Sequence, residues 1–219
     1  MSPFAVKCER PQVKICGLTR PDEAAACEAA GADAVGCVFY PKSPRCVTVS
    51  RAAEIRRTLT SKTALTAVFV EASAGEILRV RDRAGIDCAQ LHGNESPELV
   101  ETLVSEGLFV IKTLFANALP SPEDADRYPA HAFLVECAGG ALPGGNALAW
   151  DWSGAKVLGG RYPLVIAGGL TTATVCRAVQ SSFADAVDVS SGVEVTPGRK
   201  NLDEVAAFID ELARCGADF

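Results

Sequence analysis

Two hydrophobic patterns alternate along the chain. Short runs that are apolar at nearly every position, rich in Val, Ile, Leu and Ala, are separated by longer Ala- and charge-rich stretches whose apolar residues recur with helical period. The runs predict strands over Val13–Cys16, Ala34–Phe39, Leu65–Val70, Ala89–His92, Phe109–Thr113, Ala132–Glu136, Leu164–Ala167 and Ala186–Val189. The stretches between them predict helices over Pro21–Ala30, Ser50–Leu59, Ser73–Ala84, Pro97–Glu106, Thr171–Gln180 and Leu202–Ala213, with weaker ones near Pro122–Tyr128 and after Asp151. Punctuation agrees with this division. Thr19 is placed to cap a helix that has Pro21 in its first turn, and Ser96-Pro97 offers a cap followed by proline at the first helical position. Gly31, Gly85 and Gly107 each follow a helical stretch, where a left-handed terminus favours glycine.

Strands that are apolar on both faces suit a parallel sheet covered by helices. Repetition of the strand–helix unit eight times predicts an α/β fold of one kind, a closed (βα)8 TIM barrel. The structural alternative, an open doubly wound sheet, is disfavoured by so many consecutive units in 219 residues. No linker or low-complexity tract marks a second domain, so the expected organisation is a short extension over residues 1–12 and one barrel over 13–219. A hydrophobic fraction of 48% with only 6% aromatic residues predicts a core that is largely aliphatic.

Charge and cysteine usage narrow the partners. Lys and Arg number 21 against 27 Asp and Glu, a net charge of −6 with no basic block, which disfavours binding to a nucleic-acid backbone. No apolar run approaches the roughly 18 residues of a membrane span, and the first residues lack a signal-peptide core. The nine cysteines are scattered and form no CxxC pair. His92 and His131 complete no zinc pattern, so reduced thiols in a cytoplasmic protein are expected.

In a barrel, chemistry belongs at the C-terminal ends of the strands. Lys14, Cys16, Arg45, His92, Lys112, Glu136, Gly168-Gly169, Asp188 and Ser190-Ser191-Gly192 fall there. A cysteine ending an apolar strand is most often a small buried hydrophobe. Cys16, however, is followed by Gly17 and a helix N-terminus, which lets the thiol face the mouth as a general base. Glu136, a carboxylic acid at another strand end, would complete an acid–base couple suited to proton transfer beside a carbonyl or imine. The glycine-bearing segments after strands seven and eight stand where barrels commonly hold a phosphate on backbone N–H groups. Arg45, in a proline-punctuated loop, is either a plain surface residue or a fork for a carboxylate. His92 reads equally as a structural histidine or a substrate contact, and Asp188 as a loop cap or a hydroxyl acceptor.

Several of these segments together resemble the phosphoribosylanthranilate isomerase family of tryptophan biosynthesis. They are VKICGLT (13–19), GADAVGCVFYPKSPR (31–45), AQLHGNES (89–96), VIKTLF (110–115), AWDW (149–152), LVIAGGLT (164–171) and VDVSSGVEVTPGRKN (187–201), in order over nearly the whole chain. The resemblance implies an Amadori rearrangement of N-(5-phosphoribosyl)anthranilate to 1-(2-carboxyphenylamino)-1-deoxyribulose 5-phosphate, without metal or cofactor. It places the base on Cys16, the carboxylate-binding arginine on Arg45, substrate contacts on His92 and Asp188, and the phosphate on Gly168, Gly169, Ser190, Ser191 and Gly192. The expected partner is a small phosphorylated substrate, and the expected assembly a monomer or homodimer. One departure stands out: the family's acid is an aspartate, whereas Glu136 occupies that position here, and Asn146 interrupts the glycine-rich loop that follows. The resemblance therefore leaves two further readings, a related phosphate-binding-barrel isomerase and a barrel that binds ligand with impaired catalysis. Asp151, matching the aspartate of the family's FDW, is expected to cap the next helix.

Overall fold

The computed structural model describes residues 11–139 and 149–216. Eight parallel strands, β1 (Gln12–Ile15), β2 (Ala34–Val38), β3 (Ala64–Phe69), β4 (Cys88–Leu91), β5 (Phe109–Phe115), β6 (Ala132–Glu136), β7 (Leu164–Ala167) and β8 (Ala186–Val189), pair in chain order. β8 closes onto β1 with Lys14 opposite Asp188. The helices are α1 (Pro21–Ala29), α2 (Val49–Thr58), α3 (Ala74–Ala84), α4 (Pro97–Ser105), α5 (Val175–Ser182) and α6 (Leu202–Gly216). This is the (βα)8 barrel that the periodicity predicts.

Alternation along each strand divides the core in two. Side chains such as Val13, Ile15, Val35, Leu65, Phe133, Ile166 and Val187 face the helices in one continuous apolar cluster. A second cluster, Ala34, Cys88, Ile111, Ala132, Leu134, Val165, Ala167 and Ala186, fills the lumen. Each fully buried Phe, Leu or Ile contributes roughly 1.5–3 kcal/mol by leaving water. The floor is fastened by side chains that precede even-numbered strands. Asp33 accepts the N–H of Val13, Asp87 that of Leu65 and Asp185 that of Leu164 at 2.8–2.9 Å, and His131 Nδ1 accepts that of Val110 at 3.1 Å. These strand-opening N–H groups would otherwise be orphans.

The helices depart from the sequence reading where local chemistry competes. Arg20, not Thr19, occupies the N-cap of α1 and makes no capping bond, because Thr19 Oγ1 donates instead to Gly198 O at 2.7 Å. Ser96 caps α4 as anticipated, and Gly85 ends α3 in the left-handed region. Thr174 Oγ1 accepts from the backbone N–H of Thr171, which keeps residues 171–174 in a turn and delays α5 to Val175. The two weak helices are short 3₁₀ segments, Pro122–Arg127 and Trp152–Val157, the second capped by Asp151. After β8 comes a small hairpin that the periodicity does not announce, β9 (Glu194–Thr196) against β10 (Arg199–Lys200).

One expectation about the cysteines is overturned. Cys176 on α5 and Cys215 on α6 are disulfide-bonded, with Cα atoms 5.4 Å apart. Both sit on the outer layer, where two helices bring residues 39 apart in sequence side by side. The other described cysteines are free, and Cys8 lies outside the described residues. Among the described residues no helix is long and apolar enough to cross a membrane.

Candidate active site

Above the apolar floor the lumen turns polar, because inward positions near the strand C-termini carry Lys14, Thr66, Gln90, Thr113, Glu136 and Asp188. Burial without partners would be costly there, so Lys14 pairs with Asp188, and Gln90, Thr113 and Glu136 converge on His92. Lys14 is fully buried and donates to both carboxylate oxygens of Asp188 at 2.9 Å. Burial alone would lower the Lys14 pKa, but Asp188, with Cys16 adding to it, holds the ammonium well above its ordinary value.

Cys16 follows β1 directly and is 8% exposed. Its N–H donates to Val189 O at 2.8 Å and its carbonyl accepts from Ser190 Oγ at 3.1 Å, which fixes it between β1 and the loop after β8. Burial pushes the thiol up, and Asp188 adds to this. The positive charges of Lys14 and Lys200 act in the opposite direction. Glycine is required on two sides of it. A Cβ at Gly36 would lie 2.8 Å from Cys16 Sγ and 3.1 Å from Lys14 Nζ. Gly17 has φ of +80°, and a Cβ there would press on Arg45 and Ser190.

Across the lumen, Glu136 ends β6, and its Oε1 lies 2.8 Å from His92 Nε2. His92 Nδ1 in turn meets Gln90 Nε2 at 2.9 Å and Thr113 Oγ1 at 3.1 Å, while Phe115 packs edge-on against the ring. With Gln90 donating to Nδ1, Nε2 carries the hydrogen and donates to Glu136. Burial would lower the His92 pKa, yet the Glu136 charge and hydrogen bond outweigh it and raise it. Gln90 Oε1 and Thr66 Oγ1 are buried without a protein partner, so acceptor capacity remains beside this cluster.

Arg45 is not free. Its Nη2 pairs with Glu194 Oε2 at 2.6 Å and its Nε with Glu194 Oε1 at 3.0 Å. Lys200, buried on β10, reaches the same carboxylate at 2.9 Å and also donates to Ser190 O. Burial alone would raise the Glu194 carboxyl, but Arg45 and Lys200 hold it below its usual range. The hairpin and the loop after β2 thus bring two cations and one anion beside the Ser190-Ser191-Gly192 loop. Gly168 and Gly169 have φ of +84° and +67°, and Gly169 leaves no room for a side chain against Ala149. The indoles of Trp150 and Trp152 donate to Ala167 O and Gly168 O, anchoring that loop from the other side.

The expected residues therefore fall into three neighbouring groups: Cys16 with Asp188, His92 with Glu136, and Arg45 beside the serine loop. Lys112 does not join them, since it is clamped outside the lumen by Glu95 at 3.0 Å and by the carbonyls of Gly93 and Thr113. Lys14 joins through Asp188, whereas Glu194, Lys200, Gln90 and Thr113 had not been singled out. The signal for the last two was strand alternation, which aims them inward, and for Glu194 and Lys200 their place in the segment after β8. Asn146 and residues 140–148 lie outside the described residues.

Fold and site define a (βα)8-barrel enzyme with an ionisable thiol and a carboxyl–imidazole pair at the strand ends. Residues 13–211 match the family model for N-(5'-phosphoribosyl)anthranilate isomerase. The protein of that name from Desulfatibacillum aliphaticivorans is 49% identical over 208 residues, 95% of each chain, and that from Rubrobacter xylanophilus 41% identical over 199 residues, 90% of this chain and 97% of the relative. The crystal structure of phosphoribosyl anthranilate isomerase from Thermotoga maritima superposes with a TM-score of 0.85 at 35% identity, covering 92% of this chain and 98% of the other. Another, in complex with reduced 1-(o-carboxyphenylamino)-1-deoxyribulose 5-phosphate, gives 0.82 at 34% identity with the same coverage. The chain belongs to the N-(5'-phosphoribosyl)anthranilate isomerase family.

Proposed function

We propose that the chain converts N-(5-phosphoribosyl)anthranilate to 1-(2-carboxyphenylamino)-1-deoxyribulose 5-phosphate, with Glu136 as general acid and Cys16 as general base. The observation that carries this reading is the arrangement of two proton-handling groups at the strand ends, each beside its own basic residue, Lys14 near Cys16 and His92 on Glu136. Glu136 gives its proton to the furanose ring oxygen. The C1–O bond then breaks as the anthranilate nitrogen lone pair forms the C1=N bond. Cys16 as thiolate takes the proton from C2, whose electrons neutralise the iminium and leave an enolamine. Protonation at C1 and loss of the enol proton give the ketose. The substrate's own nitrogen is the electron sink, so the rearrangement asks of the protein only positioned proton transfer.

Arg45 receives the anthranilate carboxylate, and does so in competition with Glu194, its partner at 2.6 Å. Asp188 accepts from a ribose hydroxyl. Gly168, Gly169, Ser190, Ser191 and Gly192 hold the phosphate, with Lys200 supplying positive charge from beneath. His92 holds the Glu136 carboxyl rather than the substrate. Its hydrogen bond keeps a side chain one methylene longer than the family's in a fixed place. The setting we assign is the cytoplasm.

Purified protein supplied with substrate generated in situ tests the reading through loss of the anthranilate–ribosyl fluorescence. Turnover well above the uncatalysed rate is expected. Cys16→Ser should remove nearly all of it, since a hydroxyl, which stays protonated, is a far weaker base than a thiolate. A fully active Cys16→Ser protein would exclude Cys16 as the base. Binding of the product without turnover would favour a ligand-binding barrel, and turnover of an aminoimidazole ribotide alone a related isomerase.

A further inference from the structure

Cys16 presents a difficulty that the proposed reaction does not resolve. A base must be able to lose its proton, yet this thiol is buried and a carboxylate stands close by. The charged and titratable groups around it come from five elements: Lys14 on β1, Asp188 on β8, Arg45 in the loop after β2, Lys200 on β10 and the further thiol Cys37 on β2. Arg45 and Lys200 are both committed to Glu194 at 2.6 and 2.9 Å. Lys14 is held by a carboxylate as well, that of Asp188, but it lies two residues before Cys16 in the chain and faces the same lumen. It has no exposure to water, it sits directly beneath Cys16, and the same absent Cβ at Gly36 makes room for both its Nζ and the sulfur.

We propose that Lys14 is a positioning residue for Cys16: its buried ammonium is the counter-charge of the thiolate, and Asp188, which grips that ammonium, sets how much of the charge the sulfur receives. The inference rests on Cys16 being the base. In the free protein both oxygens of Asp188 lie 2.9 Å from Lys14 Nζ, so the ammonium is largely neutralised and the thiol keeps its proton. A ribose hydroxyl donating to Asp188 withdraws part of that carboxylate from Lys14. The ammonium then turns its charge to the sulfur, and the base ionises when substrate is in place. The step moves one proton from Cys16 Sγ to water or to a group on the substrate and requires no oxidant or cofactor. The placement is economical, because the buried lysine has no water to compete with and Glu136, the other described carboxylate of this layer, is taken up by His92.

The counter-charge idea predicts opposite effects for the two partners, where a purely structural pair predicts the same effect for both. Ionisation of Cys16 is read, without substrate, as ultraviolet thiolate absorbance of each full-length protein minus that of the same protein carrying Cys16→Ser. This cancels the other thiols. Lys14→Met should raise the Cys16 midpoint by at least about one pH unit, as expected when an adjacent opposite charge is removed. Asp188→Asn should lower it by a similar amount, because the amide leaves Lys14 with Cys16 as its remaining anion. No shift in either variant, or shifts of the same sign, would overturn the proposal. If Lys14→Met fails to fold by circular dichroism, Asp188→Asn decides alone, and an unchanged or raised midpoint overturns it. Since substrate takes no part, an inactive protein showing the two opposed shifts would refute the isomerase reading and leave the Lys14 role standing. An active one lacking them would do the reverse.

Discussion

Shortening Glu136 by one methylene tests whether His92 and Glu136 form one acid. In Glu136→Asp the carboxyl retreats toward β6 by about 1.5 Å, one C–C bond. The contact with His92 Nε2 starts at 2.8 Å, so the new separation lies well beyond hydrogen-bond range. Two losses follow. A charge-assisted hydrogen bond worth about 1.5–3 kcal/mol disappears, and the buried ring nitrogen is left without an acceptor. The proton donor is also displaced by more than 1 Å from where the ring oxygen must lie, which costs roughly 100-fold in rate. Progress curves of substrate fluorescence should therefore show kcat reduced about 10–100-fold with KM changed by less than about threefold, the pattern of a group acting mainly in the transition state. A double-mutant cycle with His92→Asn isolates the coupling: once His92 is gone, the change at position 136 should cost markedly less. Glu136→Asp protein turning over as fast as the native chain, or faster, would refute the idea that His92 and Glu136 are matched. So would full additivity in the cycle.

Three other outcomes follow from the geometry. Gly36→Ala should fold with a penalty of about 1–3 kcal/mol and lose most of its kcat, because the new methyl would lie 2.8 Å from Cys16 Sγ; an unchanged kcat would mean the thiol tolerates displacement. Closing a loop of about 39 residues, the Cys176–Cys215 bond should stabilise the chain by up to about 4 kcal/mol. A reductant should then lower the melting temperature of the native protein and have no effect on Cys215→Ser; equal melting with and without reductant would argue against the bond. His92 has a folded-state pKa raised above its ordinary 6.5, so its contribution to stability is complete below that value and is lost as pH rises through the raised one. Denaturant unfolding of His92→Gln against the native protein should show the gap closing as pH rises, and a gap that widens would reverse the assignment.

The barrel was legible in the chain because one physical signal repeats: short β-branched runs apolar on both faces, each followed by a helical stretch. Legibility failed where that signal was weak or a side chain had a better partner. Thr19 is a good N-cap by type, but a carbonyl at Gly198, 179 residues away, takes its hydroxyl. The cysteines were scattered in sequence and formed no motif, and nothing in their spacing says that α5 and α6 lie side by side. Lys14 showed the limit of reading its strand as apolar on both faces. Its side chain has no exposure at all, and is held there by a carboxylate at the other end of the chain.

The pairing of His92 with Glu136 marks the boundary between what alternation reveals and what closure adds. Alternation along β4 and β6 aims both side chains inward, so each was recognisable as a lumen residue. That they touch was not, since 44 residues and the whole of β5 separate them in the sheet. Barrel geometry supplies the answer: strands tilt, and a lumen layer is built from alternate strands, so β4, β6 and β8 contribute neighbours to one level. The electrostatic influence of Asp188 on His92, in addition to that of Glu136, is consistent with this. A glutamate in this layer is therefore not simply an aspartate with its proton donor misplaced. It gains reach along the layer, and its carboxyl meets the imidazole, so in the acid role proposed for it its fitness would depend on His92 as much as on its own length.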